Sequence, residues 1–157
     1  MKKIRRLLFI VVLGLCNVFA FAQTETTIDF SALGYTNFQV LTSTTVNPIT
    51  VTYVNGNTYR NKCAYYTLGT AVRIYSNNGI IVSTNSGNIT KIVFTFGSRS
   101  VYPTATTYSV DGGTFDVPSY TWIGSASSMS LSYINATSRN WRLQKMVVTT
   151  VVSDLND

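Results

Sequence analysis

The chain has 157 residues, no histidine, and ten tyrosines beside two tryptophans and eight phenylalanines. Lacking the side chain that most often titrates near neutrality, it is poorly equipped for ordinary acid–base or nucleophilic catalysis, whereas Tyr and Trp suit the holding of sugar rings or protein surfaces. Of its twelve basic residues four lie among the first six positions, and the other eight are scattered against six acids, which excludes the clustered basic stripe of a nucleic-acid binder.

Residues 1–22 read as a secretory signal. Lys2, Lys3, Arg5 and Arg6 form a positive start, Leu7 to Leu15 an apolar stretch, and Ala20-Phe21-Ala22 a small-residue cleavage site before Gln23. The apolar stretch is short for a bilayer span, and no later stretch is long enough, so the expected product has no membrane span and is secreted, periplasmic or displayed at the cell surface. A rival reading takes Leu13-Gly14-Leu15-Cys16 as a lipoprotein box, against which the bulky Leu15 counts. Removal of the leader leaves Cys63 without an intrachain partner, so no disulfide is expected and Cys63 reads as a small packing residue.

The remaining residues 23–152 suffice for one domain, with Ser153 to Asp157 as a short polar tail. Period-two patterns run through it. In Lys91 to Phe96 the residues Ile92, Phe94 and Phe96 share a face; in Ser128 to Tyr133 the apolar Met129, Leu131 and Tyr133 alternate with serines. Further strands are expected at Thr26 to Phe30, Ile49 to Val54, Ala71 to Tyr75, Ile80 to Thr84, Ala105 to Val110, Tyr120 to Ile123 and Trp141 to Val151. Turn signals such as Asn55-Gly56, Asn78-Gly79, Ser86-Gly87-Asn88 and Asp111-Gly112-Gly113 separate them. In the last strand the step from Leu143 to Met146 breaks alternation, which a β-bulge near Gln144-Lys145 restores. No amphipathic helix follows the leader. The pattern predicts an all-β, two-sheet antiparallel sandwich of eight to ten strands, of jelly-roll type.

Several strings occur in order: Thr27-Ile28-Asp29-Phe30, Leu33-Gly34-Tyr35, Ile49-Thr50-Val51-Thr52, Ala64-Tyr65-Tyr66, Gly69-Thr70-Ala71-Val72-Arg73-Ile74-Tyr75, Ile89-Thr90-Lys91-Ile92 with Phe94-Thr95-Phe96-Gly97, Thr121-Trp122-Ile123-Gly124-Ser125-Ala126-Ser127-Ser128 and Arg142-Leu143-Gln144-Lys145-Met146. Together they resemble a β-sandwich module of large secreted and surface proteins of gut-type bacteria, similar in shape to carbohydrate-binding modules. The resemblance implies a secreted, non-catalytic accessory module with no catalytic motif to carry over. Cys63 departs from it, and no companion domain is expected within these 157 residues.

Candidate ligand-binding residues are cations near aromatics. Tyr59, Arg60, Tyr65 and Tyr66 fall in an expected long loop, and Arg99 with Tyr102, and Arg139 beside Trp141, repeat the theme. Arg73 and Tyr75 share a strand face, where Arg73 either meets a carboxylate such as Asp29 or Asp111 or offers a forked pair of hydrogen bonds to a ligand. Trp122 and Trp141 read as core. Asp111 and Asp116 offer oxygens to a Ca2+ ion, although Asp-Gly-Gly is already explained as a turn; other cofactors are not expected. The partner implied is a polysaccharide or other glycan. The rival is a structural or adhesive subunit meeting other surface proteins, for which the Val/Thr-rich run Met146 to Val152 supplies an open edge strand. An enzyme ranks last.

Overall fold

A computed structural model describes residues 22–56, 61–134 and 139–152. The expected leader up to Phe21, Tyr59 with Arg60, and the polar tail lie outside the described residues. Twelve strands follow in chain order: β1 (Ala22–Asp29), β2 (Ser43–Val46), β3 (Ile49–Val54), β4 (Ala64–Tyr66), β5 (Ala71–Tyr75), β6 (Gly79–Thr84), β7 (Asn88–Phe96), β8 (Tyr108–Asp111), β9 (Gly113–Asp116), β10 (Thr121–Ala126), β11 (Ser128–Tyr133) and β12 (Asn140–Val152). This exceeds the expected eight to ten, because β2, β4 and β9 are too short and too polar or too aromatic to announce themselves by alternation. β8 begins at Tyr108 and not at Ala105, since Thr104 to Thr107 close a turn: Thr107 N donates to Thr104 O at 2.9 Å, and Thr104 N to Thr107 Oγ1 at 2.9 Å.

The strands form two antiparallel sheets packed face to face. One runs β4-β5-β12-β7-β10-β9, with β1 also on β12; the other runs β2-β3-β6-β11-β8. Hairpins within a sheet are β2–β3, β4–β5 and β9–β10, while the other connections cross between sheets. β12 organises the larger sheet. Its first residues pair with β5, where Asn140 faces Tyr75 and Arg142 faces Arg73; its later ones pair with β1, and β7 lies along its other side. The run Met146 to Val152 is therefore a central strand with both edges occupied, which corrects the expectation of an open edge. Its Val and Thr content suits burial between neighbours as well as exposure at a rim, so composition alone misassigned it. The expected bulge is present as a register shift between Leu143 and Lys145, and it returns Met146 and Val148 to the inner face.

The core lies between the sheets. Trp122, Trp141, Ile28, Phe30, Ile92, Leu143 and Met146 are fully buried, and Trp141 stacks on Tyr133 with ring centroids 4.5 Å apart. A polar contact survives inside: Thr44 Oγ1 lies 2.6 Å from Tyr35 Oη and 2.9 Å from Tyr53 Oη, satisfying the tyrosine hydroxyls among apolar neighbours. Cys63 is buried and forms no disulfide among the described residues, and burial pushes its thiol up to about 12. Buried Asn78 anchors the chain beside it, its Oδ1 accepting from Gly56 N at 2.7 Å and its Nδ2 donating to Asn61 O at 2.5 Å.

The two outward faces differ. On the smaller sheet, register aligns Thr45, Thr50, Ser83 and Ser128 in one row and Ser43, Thr52, Ile81, Ser130 and Asp111 in the next, a surface of short hydroxyls. On the larger sheet the corresponding positions around the start of β12 carry Arg73, Tyr75, Arg142 and Gln144.

Candidate functional site

Trp141 and Leu143 are fully buried, so strand alternation sends Arg142 to the opposite, outer face. On β5 the buried Val72 and Ile74 do the same for Arg73 and Tyr75. Register then sets Arg142 directly across from Arg73. Two like charges at opposed positions of neighbouring strands repel, an arrangement that costs stability unless something answers it.

Above this floor the chain builds two walls. One is the β4–β5 turn, where Thr70 N donates to Thr67 O at 3.2 Å and Gly69 takes a φ of 108°, a conformation open to glycine. Thr70 follows at a φ of 45°, unusual for a β-branched residue. The other wall is the loop after β7. Ser100 N donates to Gly97 O at 2.9 Å, Ser100 Oγ accepts from Arg142 N at 3.0 Å, and Val101 N donates to Asn140 O at 3.2 Å, so the loop that carries Arg99 is tied to β12. Gln144 joins floor to wall by donating from Nε2 to Gly69 O at 2.9 Å. Gly97 admits this side chain closely, since a Cβ there would sit 3.1 Å from the Gln144 amide.

The result is a cleft of about 260 Å3 lined by Leu68, Gly69, Arg73, Gly97, Ser98, Arg99, Arg142 and Gln144. Among the described residues three guanidiniums and no carboxylate line it. The Arg73 guanidinium lies 3.6 Å above the centre of the Tyr66 ring, and Tyr66 Oη is 3.1 Å from Tyr75 Oη. Stacking of this kind fixes a flat guanidinium without using up its N–H groups. Burial first, then the neighbouring Arg73 and Arg99 charges, pulls Arg142 below the usual arginine range. At the entry to β12 three successive residues hold buried polar atoms without a hydrogen-bond partner among the described residues: Asn140 Oδ1, Trp141 Nε1 and Arg142 Nε. Trp141 Nε1, like Trp122 Nε1, lies on the core side, so of these atoms only Arg142 Nε belongs to a residue that lines the cleft.

The expected binding residues fall into groups. Arg73 and Arg99 line the cleft, and Tyr66 and Tyr75 stand beside it, serving to position Arg73 more than to offer a free stacking face. Tyr65 turns inward and is 4% exposed, so it leaves the set: in Ala64-Tyr65-Tyr66 the period of two gives only one tyrosine to the outside. Tyr102 sits on the far flank of the Arg99 loop, stacked on Tyr120 at 5.4 Å, with its hydroxyl donating to Gly97 O at 3.4 Å. Arg139 is exposed just before β12 and does not line the cleft. Tyr59 and Arg60 are outside the described residues.

Arg73 meets neither Asp29 nor Asp111. Asp29 accepts from Ser31 N at 3.0 Å and Ser31 Oγ at 2.6 Å, which holds its carboxyl below the usual range, while Asp111 lies on the other sheet, across from Ser130. Asp111 Oδ1 accepts from Gly112 N at 2.8 Å in the expected turn, and Asp116 accepts from Ser119 N at 3.1 Å and from the Ser119 hydroxyl. Among the described residues no group of three metal-ligating side chains occurs. Sequence reasoning missed Arg142 and Gln144 as site residues. The signal that finds Arg142 is its position between two core residues, Trp141 and Leu143. No family model, curated protein or solved structure matches the chain.

Proposed function

We propose that the chain is a secreted, non-catalytic module of the accessory type that its strings resemble, and that it holds a glycan in the cleft over the first residues of β12. The observation that carries this reading is the convergence of Arg73, Arg99, Arg142 and Gln144 on one open cleft with rigid walls. Guanidiniums offer forked donors to ligand oxygens, and the Gln144 amide supplies both donor and acceptor capacity. The groups lining the cleft can hold oxygens in place; the paired carboxylates of glycosidase chemistry are not among them.

The test is retention of the protein on a broad glycan array at millimolar sensitivity, beside an Arg142→Ala variant. Binding by the parent, weakened about tenfold or more in the variant through loss of charged hydrogen bonds, supports the reading. An array on which the parent retains nothing overturns it.

A second reading, the structural or adhesive subunit, has its own observation. Phe38, Val40 and Leu68 are 64%, 51% and 81% exposed around the short β4, and Phe38 packs edge-on against Tyr66 at 4.8 Å. Exposed apolar groups gathered in one place suit contact with another protein. This reading expects concentration-dependent self-association in light scattering that a Leu68→Ser, Phe38→Ser variant loses; a monomer at every concentration counts against it.

A further inference from the structure

Resting on the glycan reading, the electrostatics of the cleft name the kind of sugar. A neutral saccharide presents hydroxyls, and amide and carboxylate side chains serve these well. This cleft is built otherwise: Arg73 and Arg142 are direct cross-strand partners, Arg99 is brought to them by a loop pinned to β12, and among the described residues no carboxylate lines the space to neutralise them. Like charges facing each other across a sheet are a local fault that natural sequences retain where a ligand answers it. Arg142 agrees in one further respect: its Nε is buried without a partner among the described residues.

We infer that the cleft takes an anionic sugar unit of a polysaccharide, its carboxylate or sulfate ester held by the forked guanidiniums of Arg73 and Arg142, with Arg99 closing over it and Gln144 meeting a ring hydroxyl. Arg73 is preset for this by its stack on Tyr66. At about 260 Å3 the space lies just below the roughly 300–1,000 Å3 of sites for drug-sized ligands, which fits one charged unit of a chain that continues past both walls. Uronates and sulfated sugars share the required chemistry, a planar or tetrahedral array of anionic oxygens that accepts paired N–H donors.

The experiment is calorimetric titration of the full chain with five probes: a polyuronate, its methyl ester, a sulfated polysaccharide, its desulfated form, and polyglutamate as a non-sugar polyanion. Arg142→Lys and Arg99→Gln variants are titrated in parallel, with circular dichroism to verify folding. The inference expects the charged member of at least one pair to bind, its neutral counterpart to bind about tenfold or more weakly, and Arg142→Lys to lose most of that difference because a point charge replaces a fork. Which pair discriminates tells carboxylate from sulfate. Arg99→Gln, on an exposed loop outside the strand ladder, gives the same direction of loss in a variant that does not disturb the sheet. Equal binding of charged and neutral members, abolished by the same variants, leaves the glycan reading standing and overturns the anionic one. Full retention of polyanion binding by Arg142→Lys means unselective attraction to charge and overturns it as well. Binding of polyglutamate with no binding of any polysaccharide overturns both readings.

Discussion

The outward faces of the two sheets are made from one alternating pattern and yet have opposite characters. On the smaller sheet the pattern places Ser and Thr side by side, as in Thr45 Oγ1 to Thr50 Oγ1 at 3.1 Å, and short hydroxyls of this kind satisfy one another across strands. On the larger sheet the same geometry sets Arg142 across from Arg73 and leaves the charges unanswered within the cleft. The first face is comfortable with water; the second is incomplete by itself. On the proposed reading, the face that concentrates the repulsion is the one that binds.

The largest expected effect comes from removing the support common to both faces. Trp141 lies fully buried directly between Asn140 and Arg142 and stacks on Tyr133, which belongs to the opposite sheet. Trp141→Ala should cost about 3–5 kcal/mol in urea unfolding, enough to leave the domain marginal; a loss below about 1 kcal/mol would mean that the wedge between the sheets is elsewhere.

Next in size is the trade between stability and binding at the charged face. Arg142→Gln keeps most of the stem and deletes the charge, so it should raise stability by about 0.2–1 kcal/mol through relief of the like-charged pair, while ligand binding falls about tenfold or more. Added salt should narrow the stability gap between parent and variant, since screening does the same work as the substitution. A variant that loses both stability and binding would mean that Arg142 is a structural residue. The relaxed face supplies the contrast: Ser130→Ala, on the smaller sheet, should move stability by less than about 0.5 kcal/mol and leave binding unchanged.

A further effect, on pH dependence, comes from the core and not from either face. Burial raises the Cys63 thiol from 9.0 to about 12, so between these values the unfolded chain sheds a proton that the folded one keeps. Stability therefore falls as pH rises from about 9 toward 12, and Cys63→Ala should flatten the decline, most visibly between about pH 9 and 10 before the tyrosines titrate. Tyr53, in the same electrostatic neighbourhood and also raised by burial, adds its own decline above that window. An unchanged slope in Cys63→Ala would show that the thiol does not carry it. The smallest effect expected is at Asp29, whose carboxyl is lowered by its bonds to Ser31: Asp29→Asn should flatten a slight loss of stability on acidification below about pH 4.

Much of the sandwich was legible because burial on one side writes itself as a period of two. Ile49–Val54 and Ala71–Tyr75 have the bounds that alternation predicts, and the bulge in β12 followed from a single extra residue between core positions. What the sequence concealed was neighbourhood. Nothing local tells whether Met146 to Val152 lies at an edge or at the centre, because the partners β1 and β7 lie far away along the chain. The site divides in the same way. Arg73, Tyr75 and Arg99 were visible as cations near aromatics, but Arg142 was hidden between the core residues Trp141 and Leu143, and only strand register joins it to Arg73. Tyr65 misled for the converse reason, an aromatic whose residue type suits a ligand and whose strand phase points it inward.

The claim that the charged face is the binding face is tested most directly by amide chemical-shift mapping of the full chain titrated with a polyuronate oligosaccharide and with a sulfated one. Shifts from at least one of the two should gather on Gly69, Arg73, Gly97, Arg99, Arg142 and Gln144 and leave Thr50, Ser83 and Ser130 unmoved. Shifts centred on those three hydroxyl residues, with the arginine cleft silent, would contradict it.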